Sequence, residues 1–215
     1  EAAMAIPKAS GPWTATEWRA LDRLTAPDRV QAFLDSIPYS SDPFYRCPRR
    51  VLRDRVAHCY DGALFAAAAL ERLGHAPLLV DLRAVRDDDH VIAIFHAHGR
   101  LGAVAKSNFV GLRYREPVFR TLRELVLSYF EDYYNVEGEK TLRSYSLPVN
   151  LGALDRLGWR VRDEAMETIA RRLDARRHVP LLTPALERTL TRIDDRSYRA
   201  GMMGFNDKGL WRPKR

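Results

Sequence analysis

The chain is predicted to be an α+β protein in which one almost wholly buried helix packs on an antiparallel sheet. Three observations predict this. From Cys59 to about Leu73 the sequence is apolar nearly all round, through Ala63, Phe65, Ala66, Ala67 and Leu70, the pattern of a helix covered on most faces. Two apolar runs follow it, and a turn of a few residues joins the second to a third, which suits antiparallel pairing because parallel strands need long crossovers. Helical periodicity returns beyond residue 120, so helices and strands are segregated rather than alternating.

Taken in order, Thr14-Ala15-Thr16-Glu17 reads as a capping box opening a short helix that runs to about Leu24. Pro27 suits the first position of a second helix. Its apolar face is Val30, Phe33, Leu34 and Ile37, and Pro38 ends it. Tyr39 to Pro48 is a loop rich in Ser, Asp and Pro, and Arg49 to Val56 is a further helical turn. Gly74 stops the buried helix. Ala76 to Val85 then reads as a strand, Arg86 to Asp89 as a charged loop, and residues 90–95 as the next strand. His96 to Arg100 is the hairpin turn, with Gly99 for positive φ. Leu101 to Lys106 returns, ending at Ser107-Asn108-Phe109.

A helix is expected over Thr121 to Tyr134, with Leu122, Leu125, Val126 and Tyr129 on one face. Residues 136–149 read as a loop with a short strand near Thr141 to Leu147. Further helices are expected near 152–157, 163–177 and 184–198, and the tail from Gly201 to Arg215 has no periodicity.

At 215 residues the chain fits one core of useful size. Hydrophobic content of 46% and charged content of 29% are those of a folded globular protein rather than a disordered one. The organisation expected is a core with N-terminal helices over 1–150 and a basic helical extension packed on it over 151–215. That last stretch holds 15 Lys/Arg against 9 Asp/Glu, so +6 of the net +7 lies there. A solvated basic face is the ordinary meaning of such a surplus, and an acidic partner is the alternative. Nucleic acid is the weaker candidate, since no recognised binding motif accompanies the charge. No apolar run approaches the roughly 20 residues that span a bilayer. Glu1 to Lys8 lacks the apolar core of a signal peptide. Two cysteines, Cys47 and Cys59, make no disulfide framework and suit a reducing compartment, so a cytoplasmic location is expected.

Cys59 opens the buried helix. A thiol in a first helical turn feels the positive end of the dipole and unpaired backbone N–H groups, and both favour thiolate. The plain alternative is a small buried core residue, as most free cysteines are. His90 heads the apolar run Val91 to Phe95, either as a base facing Cys59 or as an ordinary residue at the entry to a strand.

The order of these pieces resembles the transglutaminase-like branch of the papain-type cysteine hydrolases. Ala32-Phe33-Leu34-Asp35-Ser36-Ile37-Pro38-Tyr39 is similar to that family's leading helix and following Tyr. Pro48 to Ala63 resembles its approach to the nucleophile, with Asp61 in agreement and Ala57 in place of the usual Gly. Leu70 to Pro77 resembles its helix end and entry into the sheet, and the match runs from Asp28 to Asn108. The family's His-Ala-Trp is here His90-Val91-Ile92. Its third catalytic residue, usually Asp on the return strand, falls near Ala105, where no Asp stands. Ser107 shares the facing of Ala105, and Asn108 lies just beyond. Papain-like enzymes use Asn in this role, so the resemblance points to Asn108, with Ser107 as the alternative.

The resemblance implies a catalytic triad of Cys59, His90 and Asn108 acting on a peptide or protein amide through a thioester, by hydrolysis or by acyl transfer, with no cofactor. The oxyanion would be held by the Cys59 N–H and by a second donor, His58 or Tyr60. Tyr114, within Arg113 to Pro117, either lines a substrate channel or belongs to a structural loop. The competing reading is a fold that has lost catalysis and serves as a binding module, its basic C-terminal surface meeting an acidic partner or nucleic acid. Cys47 lies 12 residues before Cys59, and neither spacing nor neighbours suggest zinc. His96 and His98 alternate in a way that could chelate a metal, although surface histidines are the default, and Asp87 to Asp89 read as a solvated loop.

Overall fold

The computed structural model describes residues 12–212; the Glu1–Lys8 segment lies outside them. Three short helices lead in, α1 (Ala15–Leu21), α2 (Pro27–Asp35) and α3 (Pro48–Asp54). The capping box of α1 forms as its sequence predicts, with Thr14 N–H donating to Glu17 Oε2 at 2.7 Å and Glu17 N–H to Thr14 Oγ1 at 3.3 Å. Prolines at the first turns of α2 and α3 need no amide partner there. The central helix α4 (Cys59–Arg72) is buried at every position from Cys59 to Leu70.

The strands are β1 (Leu78–Ala84), β2 (His90–Ala97), β3 (Arg100–Val104), β4 (Arg115–Phe119), β5 (Leu142–Ser146), β6 (Val149–Asn150) and β7 (His178–Pro180). They form a single antiparallel sheet in the order β4-β3-β2-β1-β5-β7, with β6 also pairing β1. Side-chain alternation splits the core in two. Leu79, Val91, Ala93 and Phe95 pack with α4 and α2 on one face. Val80, Leu82, Ile92 and Ile94 pack on the other with α5 (Leu122–Leu127), Tyr129 and Tyr133.

Several elements differ from the sequence reading. β2 continues to Ala97, and the hairpin turn shrinks to His98 and Gly99, both at positive φ (51° and 70°). Such a two-residue turn matches the natural strand twist. The helix expected over 121–134 ends at Leu127 and tightens into a 3-10 turn at Phe130–Asp132. The stretch Arg113 to Pro117, read as channel or loop, contributes β4, an edge strand where Pro117 costs no ladder bond. The helix expected to 177 stops at Asp174 as α6 (Met166–Asp174), and β7 follows it. The helix expected over 184–198 is two pieces, α7 (Pro184–Glu187) and α8 (Asp195–Gly201).

No boundary in the sheet falls at residue 150. β7 pairs with β5, and Trp159 is fully buried against the core that holds α4. Among the described residues no helix is long and apolar enough to cross a membrane, and no group of three His, Cys, Asp or Glu is placed to hold a metal.

One end of this arrangement gathers the residues of interest. The start of α4, the start of β2 and the chain leaving β3 meet there. Gly62 makes the approach possible: a Cβ on it would stand 2.2 Å from Cβ of Lys106. Lys106 in turn donates to the carbonyls of Leu34 (2.8 Å) and Ile37 (2.6 Å), closing the end of α2.

Candidate active site

Cys59 is the first residue of α4, and the local sequence fixes its setting. His58 Nδ1 accepts the Tyr60 N–H at 3.1 Å, satisfying one of the free donors of the helix start. Asp61 has no exposed surface and accepts the Arg46 N–H at 2.8 Å and the His58 N–H at 3.5 Å, with the Arg46 guanidinium 3.8 Å away. Burial raises the Asp61 carboxyl to about 7, against the pull of those N–H donors and of Arg46. This contact draws the 39–47 loop onto the helix end. A one-residue parallel bridge joins Tyr39 to Ala57, with Ser40 N–H donating to Ala57 O at 3.0 Å. It sets Tyr39 beside Cys59.

The Cys59 thiol faces the opening of β2, donating to the Asp89 carbonyl at 3.8 Å. Burial, with the Asp88 charge adding to it, pushes the thiol up to about 12, while the Val91 N–H and the Tyr39 hydroxyl pull the other way. The thiolate expected from the helix end is therefore not the resting form. A helix N-terminus is worth roughly 0.3–1 kcal/mol, whereas full burial moves a pKa by up to about 3–5 units. Desolvation wins.

His90 leaves β2 on the face opposite α4. Its ring meets Tyr133 edge-on at 6.4 Å between centroids. Nε2 lies 2.9 Å from the Leu112 carbonyl. A carbonyl only accepts, so Nε2 carries the hydrogen, and the neutral ring presents its lone pair at Nδ1. Burial holds the ring neutral, pushing its pKa down to about 4. Cys59, on α4, and the His90 ring thus lie on opposite sides of the sheet, and the thiol bonds the Asp89 carbonyl rather than the imidazole; both residues line one small pocket of about 40 Å³ at the sheet's end. A larger cleft of about 420 Å³ adjoins it, walled by Tyr39, His58, Cys59, Asp81, Asp88 and Trp211.

The other residues singled out from sequence are engaged as follows. The Asn108 amide is spent on the C-terminal segment, with Nδ2 donating to Asn206 O at 2.9 Å and Oδ1 accepting Asn206 N–H at 2.7 Å. The imidazole bond expected from Asn108 is made instead by the Leu112 carbonyl. Ser107 Oγ accepts the Phe109 N–H at 3.0 Å in a local turn. Tyr60 turns its hydroxyl inward and donates to Met166 O at 2.7 Å. His58 serves the helix cap and lines the larger cleft. Tyr114 stacks on Phe95 at 6.3 Å, near the far end of β2, and its hydroxyl meets Glu116 at 3.3 Å.

Three features escaped sequence reasoning. The Leu112 carbonyl is backbone and carries no residue signature. Asp81 was visible as the one charge inside Leu78-Leu79-Val80-Asp81-Leu82, but its partner His178 lies 97 positions away, with Nε2 2.9 Å from Asp81 Oδ2. In the sequence Tyr39 stands only as the residue that follows a helix. Its hydroxyl lies against both the thiol and the backbone N–H of Cys59, and burial raises its pKa well above the usual phenol value.

Fold and site together define an antiparallel α+β domain whose central helix presents a thiol at the sheet's end, in a pocket that a histidine of fixed tautomer also lines. No family model matches the sequence, and no curated protein matches it. Among solved structures the chain is similar to Legionella pneumophila LapG, at 17% identity and a TM-score of 0.34, over 41% of this chain and 59% of that one. The EGTA-treated form of LapG gives 17% identity and 0.33, over 41% and 57%. The match thus spans less than two thirds of either LapG chain. A likeness of this degree identifies neither a family nor an activity.

Proposed function

We propose that the chain is a cysteine-dependent amide hydrolase or acyltransferase in which Cys59 is the nucleophile and His90 the base. The observation that carries this reading is the His90 Nε2–Leu112 O bond of 2.9 Å. It leaves Nδ1 as the basic nitrogen of a ring that lines a pocket together with Cys59. Because both groups rest neutral, the thiol proton passes to Nδ1 as sulfur attacks the carbonyl carbon, rather than being lost beforehand. The new C–S bond pushes the carbonyl electron pair onto oxygen. The donors we assign to that charge are the Cys59 N–H and the Tyr39 hydroxyl, which neighbours it. Collapse expels the amine, which takes the proton from His90 and leaves a thioester. Water or a second amine then attacks, delivering its proton to Nδ1, and the thiol is restored.

The substrate class is a peptide or protein amide, in keeping with the chemistry of a thiol nucleophile, and the working compartment proposed is the cytoplasm. The test is acylation by p-nitrophenyl acetate. A thioester on Cys59, found by mass spectrometry and lost in His90→Ala, supports the reading. Nitrophenol release that is unchanged in Cys59→Ala overturns it.

A second reading is favoured by the burial that holds the thiol at about 12 and the imidazole at about 4. On that reading the site is catalytically silent and the chain is a binding module, with its basic C-terminal third turned to an acidic partner or nucleic acid. It predicts no acyl-enzyme under any condition that keeps the fold.

A further inference from the structure

The segment after α8 crosses the mouth of the candidate site. One side chain holds Asn206 by both backbone groups, since its N–H and its carbonyl each bond the Asn108 amide, at 2.7 and 2.9 Å. Asn206 Nδ2 donates to the Tyr39 carbonyl at 2.9 Å, and its Oδ1 accepts the Lys208 N–H at 3.2 Å. That second bond turns the chain into the 3-10 turn Asp207–Gly209. A Cβ on Gly209 would stand 2.8 Å from Cδ1 of Tyr39 and 3.4 Å from Nδ2 of Asn108, so the backbone lies flat on both. Gly209 and Trp211 line the larger cleft and the small pocket alike, as do Tyr39, Cys59, Asp88 and Asp89, so the segment walls both beside the thiol.

We propose that Asn206 to Trp211 is a strap that closes the Cys59 site, latched by Asn108, and that substrate reaches Cys59 and His90 when the strap lifts. The proposal rests on the reading of Cys59 and His90 as the reacting pair. The pocket they share has about 40 Å³, room for a water or two and not for a peptide unit. With the strap away, pocket and cleft both lose the wall that Gly209 and Trp211 supply. The strap is also lightly anchored: hydrogen bonds hold it at Asn108 and Tyr39, while Met203 and Phe205 just before it stay 75% and 40% exposed. Elements with few buried apolar contacts are those that open locally.

The test compares iodoacetamide labelling of Cys59 and Cys47, read site by site by mass spectrometry. It uses the full chain, Asn108→Ala, and a chain ending at Met203. Cys47 is the internal control, being buried at the start of α3. The expected result is that Cys59 labels about tenfold faster or more in both variants while Cys47 keeps its rate, because the strap no longer screens the thiol. Unchanged Cys59 labelling in both variants overturns the strap. So does a parallel rise of both thiols, which reports a loosened core. Acylation by p-nitrophenyl acetate is scored separately. Faster labelling without acylation leaves the strap standing and removes the hydrolase reading.

Discussion

His90 donates Nε2–H to the carbonyl of Leu112 across 2.9 Å, and this bond gives the imidazole a defined tautomer without help from any side chain. It also ties the start of β2 to the short 3-10 turn Val110–Leu112, so the ring is positioned by backbone. No side chain takes part in that bond. The consequence is kinetic. Replacing Asn108 should leave the pH profile of acylation where it is, whereas His90→Ala should lower acylation by about 10²–10⁴-fold. Because the thiol already rests neutral, iodoacetamide labelling of Cys59 at pH 7 should change little in His90→Ala. A large fall in that labelling would mean that His90 ionises the thiol at rest, against the geometry.

The same burial predicts a stability signature. Folded His90 stays neutral down to about 4, while an unfolded histidine titrates near 6.5. Above pH 6.5 neither state binds the proton and the contribution is complete. Between 6.5 and 4 the unfolded chain takes up a proton that the fold refuses, so stability is lost as pH falls, on the order of 3 kcal/mol by pH 4. His58, also pushed to about 4 by burial, acts in the same direction, and Asp61, raised to about 7, acts against it. Urea midpoints of wild type and His90→Gln across pH 4–7 isolate the His90 share. The variant should lose less stability on acidification, and parallel curves would refute the assignment.

Tyr39 should matter to chemistry and not to access. Tyr39→Phe removes the hydroxyl that faces the Cys59 thiol and N–H and keeps the ring on which Gly209 lies. Acylation should fall by roughly 10²–10³-fold, the usual loss for one oxyanion donor, with Cys59 labelling near wild type. An unchanged acylation rate would return the hydroxyl to a packing role.

Asp61 is expected to hold the helix start together. Asp61→Ala would leave the Arg46 guanidinium, 5% exposed, facing a buried void. It would also strand the Arg46 N–H. The guanidinium keeps Asp42 and Asp54 as partners, so the loss is chiefly that of the acceptor for buried N–H groups, about 1–3 kcal/mol, and denaturant midpoints should drop accordingly. Asp61→Asn keeps an acceptor for the N–H groups and should lose less. Equal losses in the two variants would show that charge, not hydrogen bonding, decides this contact.

Gly62→Ala tests the approach of α4 to the chain leaving β3. Its Cβ would meet Lys106 Cβ at 2.2 Å, and backbone on both sides prevents an easy escape. Overpacking of this kind costs typically about 1–3 kcal/mol. Thermal or urea unfolding of the variant measures it. Wild-type stability would place the two elements further apart than described.

Much of the fold was legible because local rules decide it. The Thr14–Glu17 box, Pro27 and the all-apolar 63–70 run each specify their element with neighbours alone. β2 and β3 were readable because the His98-Gly99 turn sits between two apolar runs. β4 and β7 were not, since Arg115 to Phe119 and His178 to Pro180 carry no alternation strong enough to announce a strand and are recruited by sheet edges supplied from elsewhere. The site divides in the same way. Cys59 at a helix start and His90 at a strand start were visible as positions. The partners of their atoms were not, because Leu112 O, the Tyr39 hydroxyl and Asn206 reach them only through tertiary contact.

Sequence by itself therefore determined the antiparallel α+β class, the buried helix with Cys59 at its head, and His90 at the head of a strand, all set by periodicity, capping and turn chemistry within a few residues. The tertiary structure alone decided that burial keeps the thiol and the imidazole neutral, that a backbone carbonyl fixes the tautomer of His90, and that Asn108 binds the C-terminal segment. Those outcomes depend on desolvation and on hydrogen bonds between residues as far as 98 positions apart, and no local pattern encodes either.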